Sequence, residues 1–142
     1  MSTTPVAAHV IRYAAFTDDP GGGNPAGIVL DAISLGEELM LGVAREVGYS
    51  ETAFLRPHLD VVGEYGVRYF SPEAEVPFCG HATIAAGVAL TERDGAGEFV
   101  FHVSAGPVPL RRASAAICAR LALSRHRRAC RFCRARIWAV RV

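Results

Sequence analysis

The stretch "RYFSPEAEVPFCGHATIAAGVAL", residues 68–90, holds two glutamates, a cysteine and a histidine, followed by a run of small apolar residues. Its start belongs to a predicted strand, residues 66–71, and its end to a predicted helix, residues 81–93. The small side chains of this helix predict that another element packs closely against it. Gly80 precedes the helix, so the segment places Cys79 and His81 at its start.

The chain on either side of this stretch, up to residue 111, is divided into short elements by turn residues. Strands are predicted at residues 9–16, 26–31, 50–56, 97–104 and 107–111, and an amphipathic helix at residues 34–48. The apolar residues of that helix recur at every fourth position, at Leu35, Leu39, Val43 and Val47. Ser34 and Glu37 form a capping-box pattern at its start, and Gly48 suits its end.

The order of these elements is β-β-α-β-β-α-β-β, with short connections. This order predicts an α+β domain in which a mostly antiparallel sheet is curled around a central helix. No run of eighteen apolar residues is present, and the first residues lack the basic start and apolar core of a signal peptide. We therefore expect a cytoplasmic protein whose four cysteines are free thiols.

Composition changes abruptly near residue 110. Residues 1–110 hold 5 arginines and all 14 acidic residues, whereas residues 111–142 hold 10 arginines and no acidic residue, glycine or proline. We therefore divide the chain into a folded lobe, residues 1–110, and an arginine-rich tail, residues 111–142. The tail is expected to pack poorly against the lobe.

Three interpretations of this tail remain open. The arginines could bind nucleic acid, although no lysine or flexible segment accompanies them. His126, Cys130 and Cys133 could bind zinc, with Cys118 as the fourth ligand. The third interpretation, which we favour, is out-of-frame translation of a GC-rich gene, because arginine, alanine and cysteine accumulate and lysine is absent.

Two polar clusters lie before the central helix. "GGGNPAG", residues 21–27, lacks the lysine of a phosphate-binding loop, so Asn24 either only fixes a tight turn or also contacts a ligand. In "YSETAF", residues 49–54, Glu51 lies beside apolar residues that could raise its pKa for proton transfer. The alternative is a surface glutamate on an edge strand.

A third cluster lies at the start of the central helix. Free N–H groups and the positive end of the helix dipole make this start an anion site for a carboxylate or an enolate. His81 can exchange a proton near neutral pH, and Cys79 could be a thiol activated by the helix N-terminus. The alternative is that Cys79 only packs and His81 only caps the helix.

The segments "GNPAGIVLD", "SETAFL" and "RYFSPEAEVPFCGHATIAAGVAL" resemble the signature segments of the phenazine biosynthesis PhzF-like family, which is related to diaminopimelate epimerase. The resemblance covers roughly residues 9–110. It implies one half of a two-lobed fold in which the active site lies between the halves. It also implies a cofactor-independent isomerase that moves a proton on a small carboxylic acid, with no metal required.

The resemblance also implies roles for individual residues. Glu51 of "SETAF" would be the catalytic proton shuttle. The substrate pocket would be lined by Asn24, Ser50, Gly80, His81 and Ala82. Cys79 stands where the related epimerases have a cysteine base, and it ranks below Glu51 in this family.

Two classes of function follow from these observations. The first is an isomerase in a biosynthetic process, inactive in this chain because the second half of the site is missing. The second is a non-catalytic fragment or binding module with a basic tail. The face that the second half would cover predicts association, for example as a homodimer, and the expected partner is a small carboxylic acid rather than a membrane or a nucleic acid.

Overall fold

The computed structural model describes residues 8–17, 19, 21–95, 97–113, 116–119 and 139–141, and side chains up to residue 110. The helices are α1 (Glu37–Val47) and α2 (Gly80–Asp94). The strands are β1 (Ile11–Ala15), β2 (Asn24–Val29), β3 (Thr52–Pro57), β4 (Glu64–Phe70), β5 (Glu75–Val76), β6 (Glu98–Val103), β7 (Gly106–Ala113), β8 (Ala116–Ala119) and β9 (Ala139–Arg141).

One sheet joins all nine strands in the order β8-β7-β6-β4-β3-β2-β1-β9, with β5 paired to β4 outside this path. Neighbouring strands are antiparallel except at β2–β3 and β4–β6, which are parallel. The predicted α+β class and the mostly antiparallel sheet are confirmed, while the curl of the sheet stays a prediction. The parallel pairs and β5 were not predicted.

Helix α2 packs against β1, β2 and β3, and it also contacts β8 and β9, the two edge strands of the sheet. Most of its buried residues are small, among them Ala82, Ala85, Ala86 and Ala89. Small side chains let a helix axis approach a sheet closely, and burial of the surrounding apolar residues stabilises that contact. The predicted close packing is confirmed.

The predicted start of α1 is wrong. The helix begins at Glu37 with Gly36 as its N-cap residue, and no side chain caps it. Ser34 lies in the preceding turn, where Leu35 donates its N–H to the carbonyl of Ala32 and is buried. Glu37 contacts Arg68 instead of closing a capping box.

The predicted apolar stripe of α1 also differs from the observed buried face. Leu39 is half exposed, whereas Met40 and Ala44 are the buried residues of this helix. The face that packs on the sheet is therefore rotated by about one residue from the predicted stripe. Gly48 ends the helix as predicted, in the left-handed conformation with φ of 72°.

The arginine-rich tail lies mostly outside the described residues. The end of β7, together with β8 and β9, falls within residues 111–142, and these strands pair with β6, β7 and β1 respectively. His126, Cys130 and Cys133 lie outside the described residues, so the zinc and nucleic-acid interpretations stay open. The division into a lobe and a tail stays a prediction.

Among the described residues, no helix is both long enough and apolar enough to cross a membrane.

Candidate active site

Glu51 is positioned by the turn between α1 and β3. The chain leaves α1 at Gly48, and Glu51 comes directly before β3. Its carbonyl accepts a hydrogen bond from the N–H of Gly27 on β2 at 3.3 Å. A Cβ at Gly27 would lie 2.9 Å from Oγ1 of the buried Thr52, so only glycine allows β2 and β3 to approach here. This close parallel contact fixes the backbone that carries the Glu51 carboxylate.

The start of α2 is fixed by a buried chain of hydrogen bonds. Cys79 is the N-cap residue in an extended conformation, and its carbonyl accepts the N–H of Thr83 at 3.0 Å and the Thr83 hydroxyl at 2.7 Å. The Tyr69 hydroxyl lies 2.5 Å from Thr83 Oγ1. The Thr83 hydroxyl already donates to the Cys79 carbonyl, so Tyr69 donates to Thr83. Sequence reasoning missed Tyr69 and Thr83, although the four-residue spacing of Cys79 and Thr83 is typical of this backbone contact.

The side chains of Glu51, Cys79 and His81 converge in space. His81 Nε2 lies 3.4 Å from Glu51 Oε2 and 3.4 Å from the Ser50 hydroxyl, and His81 Nδ1 lies 3.2 Å from Cys79 Sγ. The side chains of His81 and Glu51 are 12% and 22% exposed. A small molecule can therefore reach both groups, yet water does not surround them. The structure therefore brings the side chain of Glu51 to the start of α2.

The entrance of α2 carries no acidic residue in its first turn, and the Cys79 side chain makes no capping hydrogen bond. The first N–H groups of a helix lack partners within it and carry the positive end of its dipole. The N–H groups at Gly80 and His81 can therefore take part in binding a carboxylate. The Glu51 carboxylate lies beside this entrance through its contact with His81.

The expectation that the helix N-terminus activates the Cys79 thiol is wrong. Burial of the thiol raises its pKa from 9.0 to about 11, and the neighbouring Glu51 carboxylate adds to that increase. Backbone N–H groups of Ala82 and His81 lower the pKa without offsetting the burial. The thiol is therefore protonated at neutral pH, and Cys79 is a poor base there.

The other predicted pocket residues fall into two groups. Ser50 is exposed and contacts His81, while Gly80 begins α2 beside them. The Ala82 side chain is completely buried, so only its backbone can contact a ligand. Asn24 is exposed at the start of β2, and within the described part of the chain no hydrogen bond joins it to Ser50, Glu51 or His81.

A separate cavity of about 430 Å³ lies toward the other end of α2. It is lined by residues in and just before β1, by the two residues that follow β2, and by Ala89, Glu92 and Arg93 of the helix. Tyr13 donates a hydrogen bond of 2.5 Å to Glu92 there. This cavity contains none of the predicted site residues.

Comparison with solved structures defines the class of fold. The chain matches a probable proline racemase from Agrobacterium radiobacter with a TM-score of 0.50 and 12% identity, over 71% of this chain and 36% of that one. At such low sequence identity, the match shows a similarity of fold and nothing more. The chain therefore shares its fold with part of this probable proline racemase.

More similar structures narrow this class. A phenazine biosynthesis protein of the PhzF family from Bacillus anthracis matches with a TM-score of 0.66 and 41% identity, over 72% of this chain and 34% of that one. A predicted epimerase from Pseudomonas aeruginosa matches with a TM-score of 0.68 and 26% identity, over 78% and 40% of the two chains.

The sequence model of the phenazine biosynthesis-like protein family matches residues 13–129, so the chain belongs to this family. The uncharacterized isomerase YfhB of Bacillus subtilis is 39% identical over 107 residues, which is 73% of this chain and 36% of YfhB. The uncharacterized isomerase mll1393 of Mesorhizobium japonicum is 38% identical over 119 residues, 82% of this chain and 36% of that protein. The chain thus spans about a third of these relatives. The match extends past residue 110, where the recognised motifs end.

Proposed function

We propose that this chain forms one wall of an isomerase active site that moves a proton on a small carboxylic acid, with Glu51 as the proton shuttle. The observation that carries the proposal is the contact between Glu51 and His81 at the entrance of α2. Membership of a family whose curated relatives are named isomerases supports the class of reaction.

The arrangement of Glu51 and the helix entrance suits general acid–base chemistry. A proton shift needs one group that removes a proton from carbon and donors that stabilise the negative charge that develops. The Glu51 carboxylate accepts the proton and returns it at another position of the substrate. The N–H groups at the start of α2 bind the substrate carboxylate, and the His81 ring holds the Glu51 side chain beside them.

Glu51 is a better candidate for the proton shuttle than Cys79. The Cys79 thiol has a pKa of about 11, so it is protonated at the pH where the shuttle must accept a proton. The side chain of Glu51 is partly exposed, so a substrate can reach its carboxylate. In our proposal Cys79 lines the site and contacts His81 without taking the proton.

We further propose that the 142-residue chain is catalytically silent by itself. It spans about a third of the length of its relatives, 36% in the case of YfhB. The resemblance implies a second half of the active site, and the residues that carry the family motifs supply only the first half. Misplacement of reacting groups by about 1 Å can cost a hundredfold in rate, so one wall does not suffice. The observation that favours the alternative, a non-catalytic fragment, is this same partial coverage.

The test is solvent deuterium incorporation into a panel of small carboxylic acids, followed by mass spectrometry. Native YfhB is first assayed on this panel to find an acid into which it incorporates solvent deuterium. The 142-residue chain and a chimera, in which residues 1–110 replace the matching segment of YfhB, are then assayed on that acid. We expect exchange with the chimera and none with the chain alone. A chimera that folds, as judged by circular dichroism, yet leaves the acid unlabelled would contradict the proposed function.

A further inference from the structure

Glu51, Cys79 and His81 offer three different kinds of metal ligand in one place. One carboxylate oxygen, the Cys79 sulfur and one His81 ring nitrogen all lie within 4.8 Å of one another. We propose that these three side chains form a binding site for a Zn²⁺ ion. This site rests on the geometry of the described residues and does not depend on the proposed isomerase function.

The distances between the donor atoms fit a tetrahedral ion. With bond lengths of about 2.3 Å to sulfur, 2.0 Å to nitrogen and 2.1 Å to oxygen, tetrahedral zinc holds its ligands about 3.4 to 3.6 Å apart. His81 Nε2 lies 3.4 Å from Glu51 Oε2 and 3.9 Å from Cys79 Sγ. All three donor atoms lie within 4.8 Å of one another, so they are already close to the spacing that one ion requires.

The kinds of donor select the ion. A sulfur ligand disfavours Mg²⁺ and Ca²⁺, which prefer oxygen, whereas a set of sulfur, imidazole and carboxylate suits Zn²⁺. The Cys79 thiol releases its proton to solvent when the sulfur binds the ion. Three protein ligands leave the fourth position for water, on an ion reached through the partly exposed Glu51 and His81 side chains.

The backbones that carry these ligands are held before any ion arrives. Gly27 donates to the carbonyl of Glu51, and Thr83 donates twice to the carbonyl of Cys79. Support of this kind lowers the cost of arranging ligands, because only side-chain rotations remain to be made.

A consequence for activity follows if Glu51 is the proton shuttle. Zinc would occupy the carboxylate that must accept the proton, so the ion would compete with substrate and inhibit the reaction. Zinc would act at this site as an inhibitor and not as a cofactor.

The test measures Zn²⁺ binding to the 142-residue chain by competition with a chromophoric chelator, and Co²⁺ binding by its thiolate-to-metal charge-transfer absorption. Cys118, Cys130 and Cys133 could bind metal themselves, so all variants are made in a background with these three residues replaced by serine. The matched control is His102→Asn, which alters an exposed histidine 2.7 Å from Glu64 and leaves the proposed ligands intact.

We expect the serine background to bind one Zn²⁺ per chain and to show the cobalt–thiolate band. Cys79→Ser should abolish that band and weaken Zn²⁺ binding on the order of a hundredfold or more, because the loss of supporting groups alone costs 10–100-fold. Glu51→Gln, at a partly exposed side chain, should weaken binding while keeping the band, and it serves as the second variant if Cys79→Ser does not fold.

Three results would overturn the proposal. The first is loss of Zn²⁺ binding on replacing the three other cysteines, and the second is unchanged affinity in a folded Cys79→Ser or Glu51→Gln variant. The third is a loss of affinity in His102→Asn as large as that in Glu51→Gln, which would assign binding to the surface pair of Glu64 and His102.

Discussion

The buried hydrogen bonds from Tyr69 through Thr83 to the Cys79 carbonyl predict an unusual pattern of stabilities. The Tyr69 hydroxyl donates to Thr83 Oγ1 at 2.5 Å, and the Thr83 hydroxyl donates to the Cys79 carbonyl at 2.7 Å. Both side chains are about 1% exposed, so water cannot replace a lost partner. Removing the Thr83 hydroxyl, which lies in the middle of this series of hydrogen bonds, should therefore lower the free energy of unfolding more than removing the Tyr69 hydroxyl at its end.

The expected magnitudes follow from which donors lose their acceptors. Tyr69→Phe removes the terminal hydroxyl and leaves the hydrogen bond from Thr83 to Cys79 in place, so it should lower the free energy of unfolding by about 0.5–1.5 kcal/mol. Thr83→Val keeps the volume but leaves the Tyr69 hydroxyl buried without a partner, which should cost about 1–3 kcal/mol. The double variant removes that unpaired hydroxyl, so it should be no less stable than Thr83→Val alone.

Urea unfolding followed by far-UV circular dichroism measures these differences, with a shared slope as the check on two-state behaviour. The coupling free energy between the two sites should be about 1 kcal/mol in favour of the double variant. Simple addition of the costs of Tyr69→Phe and Thr83→Val, or a smaller cost for Thr83→Val, would contradict this prediction.

Burial raises the pKa of the Cys79 thiol from 9.0 to about 11, so at pH 7 iodoacetamide should label it about a hundredfold more slowly than an unperturbed thiol, as measured by peptide mass spectrometry. Glu51→Gln should speed this labelling, because the Glu51 carboxylate raises the thiol pKa; slower labelling would contradict that effect. Arg68 lowers the pKa of Glu75, so stability from this pair is present above the ordinary pKa of 4.5 and is lost as the pH falls through the lowered value. Arg68→Met should therefore cost under about 1 kcal/mol at pH 7 for this partly exposed pair, and an equal cost at acid pH in urea titrations would count against the assignment. Finally, we expect concentration-dependent association in sedimentation velocity, since the resemblance implies an apolar face that a second lobe would cover, and a monodisperse monomer at high concentration would argue otherwise.

The local elements of this fold were largely predictable from the sequence. The small residues from Ala82 to Ala89 predicted a helix that packs closely, and the turn residues around Gly48 predicted where α1 ends. The start of α1 was not predictable from its capping pattern, because Leu35 is buried in the preceding turn and Glu37 pairs with Arg68 instead of capping the helix. β5 has two residues, too few for any periodicity.

The pairing of strands and the chemistry of the site needed the structure. Nothing local shows that β2 and β3 run parallel, since their contact depends on Gly27 making room for Thr52. The motifs named Glu51 and His81 as site residues, but the 3.4 Å contact between them joins positions far apart in the chain. The raised pKa of Cys79 comes from burial, which no short stretch of sequence reveals.

Whether Glu51 carries the proton is measured most directly by the rate of solvent deuterium incorporation in the YfhB chimera with and without Glu51→Gln. Glutamine keeps the size and the hydrogen bonding of Glu51 but cannot carry a proton, so the rate should fall by about 10²–10⁴-fold. Cys79→Ser in the same chimera is the matched control and should retain most of the rate, because a thiol with a pKa of about 11 does not act as the base. An unchanged rate in Glu51→Gln together with a lost rate in Cys79→Ser would show that the thiol, and not the carboxylate, carries the proton.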